Sequence, residues 1–294
     1  MKAFVATLAG ATLTGTMLTA LPAAAQETSG DDQSIIVEAD RPSSPKEVRS
    51  LARKLGANID LLRPIPRFAD PLCLDVGGLK DEYQERFTRR VLDNARRAGV
   101  WVGKEGCRPN AMVMFVEDSR SQLKALRKTN RFLFGNMPRS AFRDMLESRD
   151  GVYAWQINEV TSLSQLPFDS ASQLGIGIPA NRTIEVGRLN PPIRIATRSS
   201  VVVIEKDRTS GKTPEQLADY ATMRLIAPTV ELEESGGSGP ATIMTLFSDP
   251  MTAPEGLTAF DTAYLESVYK IRVNGPSGRL FAQTALQMDA QIGD

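Results

Sequence analysis

The 294-residue chain contains no histidine. That absence excludes imidazole acid–base catalysis, the Ser-His-Asp and Cys-His nucleophile arrangements, and every zinc site that needs a histidine ligand. Cysteine is nearly absent as well, with only Cys73 and Cys107, and these two do not form the Cys-x-x-Cys spacing of a redox pair. No charge excess exists either, since 35 basic residues balance 35 acidic ones. Such an even balance argues against a nucleic-acid binder or a polybasic membrane-surface protein. Beyond the N-terminus, no stretch is apolar for long enough to cross a bilayer.

Met1-Lys2, an apolar run from Ala3 to Leu21, and Pro22-Ala23-Ala24-Ala25 have the three parts of a secretory signal peptide. Cleavage is expected after Ala25. Gly10, Thr12, Thr14, Gly15, Thr16 and Thr19 dilute the run, which disfavours a membrane anchor. The expected product is an exported protein, periplasmic or secreted, of a Gram-negative envelope, soluble and without a transmembrane segment. In such an oxidising compartment, a lone pair of cysteines is expected to form a disulfide.

The local pattern supports that bridge. Leu72–Val76 reads as a strand, Lys80–Ala98 as a helix and Ala111–Val116 as a second strand, which together form a parallel β-α-β unit. Parallel neighbours start at the same end of a sheet, so Cys73 and Cys107 would lie side by side. Closing a loop of this length contributes about 4 kcal/mol on the chain-entropy view.

The fold class expected is α/β, with α+β as the alternative. The signal peptide (1–25) precedes a polar flexible leader (26–45) and an α/β layer domain (46–166). A Gly- and Pro-rich connection (167–192) leads to a C-terminal unit (193–294) with a short strand region followed by helices. In the long helix, Tyr83, Phe87, Val91, Ala95 and Ala98 form one apolar stripe. Glu82/Arg86, Glu85/Arg89 and Asp93/Arg97 stand four apart in acid-first order, which makes those arginines a solvated face rather than an anion site. Met112–Val116 is apolar on both faces, as a covered central strand should be. Tyr153, Trp155 and Ile157 alternate with Val152, Ala154 and Gln156 on a later strand. Thr213-Pro214-Glu215-Gln216 and Thr258-Ala259-Phe260-Asp261 each open a capped helix. Glu231–Pro240 reads as an exposed acidic loop.

Complete catalytic motifs are missing. Gly211-Lys212-Thr213 follows a strand, but Lys206 stands where a phosphate-binding loop needs its first glycine. Gly175-x-Gly177-x-x-Ala180 has no strong strand before it, and Pro179 interrupts the turn. Asn181-Arg182-Thr183 is a glycosylation sequon of no consequence in a bacterial envelope. Carboxylates alone can cleave glycosides when paired. Asp75, Glu159, Asp219, Glu231 and Asp261 are the candidates, with Asp219 the first to test and Asp261 already placed to cap a helix. Tyr153 and Trp155 are the candidate binding residues, although aromatic strand residues also serve as core.

The helix from Pro214 to Ala227 and the segment Gly256–Tyr269 resemble the C-terminal part of zincin-like metallopeptidases. On that resemblance Ala218 and Thr222 occupy the histidine positions and Asp219 the glutamate. No zinc could be held there, so the resemblance implies an inactive scaffold with neither metal nor cofactor. The signal peptide, Pro71-Leu72-Cys73 with Cys107-Arg108-Pro109-Asn110, and Leu217-Ala218-Asp219-Tyr220 together resemble uncharacterised exported alphaproteobacterial proteins. That likeness implies an address but no activity. The expected function is a non-catalytic module binding an envelope protein or envelope component. The alternative is a histidine-free carboxylate hydrolase acting on an envelope polymer.

Overall fold

The computed structural model describes residues 43–135, 137–148, 150–163, 192–232 and 239–293. The expected signal peptide, nearly all of the leader, the Gly175–Ala180 pattern, the sequon and most of the acidic loop lie outside the described residues.

The fold is α/β. Five strands form one sheet: β1 (Arg67–Phe68), β2 (Leu74–Gly77), β3 (Ala111–Val116), β4 (Val152–Ser162) and β5 (Ile193–Glu205). Seven described helices accompany it: α1 (Pro45–Leu55), α2 (Asp81–Arg97), α3 (Ser119–Thr129), α4 (Arg139–Ser148), α5 (Pro214–Ile226), α6 (Ala259–Lys270) and α7 (Leu280–Gly293). The expected β-α-β unit is present, with β2 parallel to β3 and Leu74 opposite Ala111. This register brings the Cys73 and Cys107 Cα atoms within 5.9 Å, and the disulfide is formed.

β5 organises the sheet. It pairs in parallel with β3 over Ser200–Glu205 and with β1 at Ala196–Thr197, and antiparallel with β4 from Ile193 to Ile204. This corrects the two-domain division at 167–192. The strand expected to open a separate C-terminal unit is instead the most extensively paired strand of the N-terminal sheet, and Pro42–Asp294 forms a single compact unit. Its two apolar patches, 193–195 and 201–204, are halves of one strand carrying a register shift opposite Ile157/Asn158.

Alternation along the strands sends apolar side chains to both faces, and helices cover each. Val202 and Ile204, with Val113 and Phe115, face a core shared with α1, α2, α5, α6 and α7. Val201 and Val203, with Tyr153 and Trp155, face a smaller core under α3, the 3-10 turn Arg131–Phe134, and α4. α5 is buried on nearly every side, from Leu217 to Met223 and on to Ile226, so its helical stripe disappears. Ser44, Thr213 and Thr258 form capping boxes on α1, α5 and α6.

The surface of α2 departs from the expected pairing. Arg89 meets Glu85 at 3.0 Å, but Arg86 reaches Glu215 on α5 at 2.5 Å and Asp93 pairs with Arg96 at 2.7 Å. Tyr83 stays exposed at the end of the apolar stripe.

Candidate functional site

Of the expected carboxylates, Asp219, Asp261 and Glu159 are each engaged in contacts of their own. Asp219 is fully buried and accepts from Arg90 Nε at 2.8 Å, Arg90 Nη2 at 2.6 Å, Asn94 Nδ2 at 2.6 Å and the Leu257 N–H at 2.8 Å. Both oxygens are thus taken up in holding α2 and the Gly256–Leu257 turn against α5. A Cβ on Gly256 would sit 2.7 Å from this carboxylate, so the turn can approach only because the residue is glycine. The Asp219 hydrogen bond and charge raise the Arg90 pKa. Ala218 is buried, and the Thr222 hydroxyl donates back to the Ala218 carbonyl at 2.7 Å, so both are packed inside the same helix.

Asp261 accepts from Thr242 Oγ1 and from the Ile243 and Thr258 N–H groups, which makes it both cap and loop anchor. Burial pushes its pKa up to about 6, against these hydrogen bonds. Glu159 holds Arg198 at 2.5 Å, and Asp70 holds the same guanidinium at 2.7 Å. Asp75 projects outward from β2. Glu231 is half-buried rather than on an exposed loop; burial raises its pKa, and Leu232 beside it is in the core.

Tyr153 and Trp155 are not a surface. Their exposures are 4 % and 9 %, because α3, the 3-10 turn and α4 fold over that face of the sheet. Trp155 stacks on Phe134 with ring centroids 5.1 Å apart and donates its indole N–H to the Leu133 carbonyl at 2.7 Å. Phe134, on which Trp155 stacks, in turn lies near the Arg127 guanidinium of a different site.

That site lies in the covering layer. Asp118 caps α3 through the Ser121 N–H, and Glu205 accepts from the Ser119 N–H at 2.9 Å, which anchors the helix at its start. Leu123 and Leu126 face the core, while Lys124, Arg127 and Lys128 occupy another stripe. After Asn130 the chain tightens into the 3-10 turn, which ends at Gly135. Gly135 has a positive φ of 48°, and a Cβ there would meet Ile157 at 2.9 Å. Arg131 on this turn joins Lys124, Arg127, Lys128 and the ring of Phe142 from α4 around a cavity of about 450 Å³.

Arg127 is the inner cation. Its guanidinium lies 4.2 Å from the Phe142 ring centroid and 5.7 Å from that of Phe134, and Nη2 donates to the Met137 carbonyl at 3.1 Å. Nη1 is buried and makes no hydrogen bond among the described residues. Among the described residues, no carboxylate pairs with Lys124, Arg127, Lys128 or Arg131. Residues 118–149 contain eight basic and three acidic side chains in a chain that is neutral overall. Four like charges at close quarters repel one another, and an anion in the cavity would relieve that repulsion.

Residue-level reading missed this pocket. The signal was present in the spacing 124, 127, 128 and 131, which is one helical face, and in the local surplus of charge that the whole-chain balance concealed. A second cavity of about 440 Å³ lies among the Gly56–Pro66 loop, Asn158, Val160, Ile195 and Pro228–Val230. Its lining is mostly apolar, and its two charges, Asp60 and Arg63, face each other at 3.7 Å, so no unbalanced chemistry converges there. No protein-family model, curated protein or solved structure matches the chain.

Proposed function

We propose that the protein is a non-catalytic module of the cell envelope that captures an anionic component in the cationic pocket between α3 and α4. One observation carries this reading: Lys124, Arg127, Lys128 and Arg131 converge on a single cavity without a carboxylate partner among the described residues. Phosphate-type oxyanions suit such a cluster because charged donors from several directions can each take one oxygen. Export to an oxidising compartment belongs to the same proposal. It is supported by the signal-peptide pattern of residues 1–25 and by the Cys73–Cys107 bridge. No described helix is long and apolar enough to cross a membrane, which is compatible with a periplasmic or secreted protein. The likeness of α5 and α6 to an inactive zincin-type frame fits this reading, since Ala218, Asp219 and Thr222 serve packing and hydrogen bonding.

The test is calorimetric titration of residues 26–294 with inorganic pyrophosphate. Saturable binding is expected, weakening by about a thousandfold or more when Lys124, Lys128 and Arg131 are all replaced by Glu, because each charge-assisted contact is worth about tenfold. These three side chains are exposed, so the variant should keep its near-ultraviolet circular dichroism. Absence of binding, or equal binding by the folded triple variant, would remove the pocket as the functional site.

A further inference from the structure

The cationic pocket has an apolar neighbour that a small soluble anion would not use. Phe132 follows Arg131 on the 3-10 turn and is 62 % exposed, while the next two residues, Leu133 and Phe134, turn inward to the core. The turn therefore presents a cation and an aromatic ring to solvent side by side, and Lys124 and Lys128 stand exposed on the helix that precedes it. Water satisfies the cations but not the ring. A surface that is both anionic and amphiphilic satisfies both, because aromatic side chains settle at the head-group level of a bilayer while lysine and arginine meet the phosphates.

We infer that this face docks on an anionic phospholipid surface, with lipid phosphates in the pocket and Phe132 inserted beside them. The inference rests on the anion-binding reading above and assigns the pocket its ligand class. Arg127 is already held by the Phe142 ring and the Met137 carbonyl, so little rotamer freedom remains for it to lose on binding. The rest of the chain carries 27 basic against 32 acidic residues, a net negative charge that an anionic surface repels, which confines the attraction to this layer and makes docking orientation-specific. It should also weaken with salt, since the surface cations act within a Debye length of about 10 Å at 0.1 M.

The experiment is co-sedimentation of residues 26–294, which retain the whole compact unit Pro42–Asp294, with two kinds of vesicle. One contains phosphatidylglycerol and phosphatidylcholine, the other phosphatidylcholine alone. Pyrophosphate titration runs in parallel. Binding to the anionic vesicles alone is expected. Phe132→Ser should lower that partitioning about tenfold or more while leaving pyrophosphate affinity unchanged. Lys128→Glu with Arg131→Glu should weaken both, the vesicle partitioning by about twenty-five-fold or more. Pyrophosphate binding without preference for anionic vesicles would overturn the bilayer inference and leave the anion-binding reading standing. Loss of both would overturn both. Anionic-vesicle binding that survives Phe132→Ser would overturn the inserted ring, and vesicle binding without pyrophosphate binding would overturn both the anion-binding reading and the placement of lipid phosphates in the pocket.

Discussion

Replacing Asp219 by Ala should destabilise the protein rather than disarm it. The carboxylate is fully buried and receives two bonds from Arg90, one from Asn94 and one from the Leu257 N–H. Removing one partner of a buried ion pair costs about 3–5 kcal/mol when both ions are inside. Arg90 is 39 % exposed, so water takes over part of its solvation, and the lower end of that range applies to the pair. The Asn94 amide and the Leu257 N–H are left without their acceptor, and each stranded buried group adds about 1 kcal/mol or more. The sum is about 5 kcal/mol. With a urea m-value of about 3 kcal/mol/M for a unit of this size, the unfolding midpoint should fall by about 1.7 M. Urea titration followed by circular dichroism and tryptophan fluorescence measures it, and a double-mutant cycle with Arg90→Met should show coupling of about 1 kcal/mol or more. A midpoint within a few tenths molar of the wild type, combined with loss of hydrolytic activity on an envelope polymer, would refute the structural role and reinstate Asp219 as a catalytic group.

Two further outcomes test the packing and electrostatics. Trp155→Ala should cost about 3–5 kcal/mol in the same urea assay, because it removes a buried ring stacked on Phe134 and its bond to the Leu133 carbonyl; it should also loosen the Phe134 ring that the Arg127 guanidinium approaches. Asp261 has a folded pKa of about 6 against an ordinary 3.8, raised by burial. The folded state therefore binds the extra proton between those values, so this residue's contribution to stability grows as pH falls from 6 towards 4 and is lost as pH rises through 6. Asp261→Asn should remove that slope from urea midpoints measured across pH 4–7, and an unchanged slope would assign it to another group.

Much of the fold was legible because it is local. The β2-α2-β3 unit, the capped starts of α5 and α6, and the alternation of Val152–Ile157 all follow from periods of two and 3.6 and from capping chemistry. The arginines of α2 were only partly legible. Arg86 stands four residues after Glu82, yet its partner is Glu215 on another helix, since side chains this long choose among all neighbours and not only those on their own turn. Tyr153 and Trp155 were correctly placed together on one strand face, but whether that face meets water or protein depends on where α3 and α4 come to lie.

By itself the sequence determined the α/β class, the disulfide pairing, the caps and the absence of imidazole chemistry, because these depend on residue identity and short-range spacing. Tertiary structure alone decided that β5 completes the sheet rather than opening a second domain. It also decided that Asp219 is an anchor, and that four cations with an aromatic ring surround one cavity. Those facts depend on contacts between residues far apart in the chain, such as Asp219 with Arg90 and Phe134 with Trp155. No local pattern encodes them, since burial and charge compensation are properties of the packed whole.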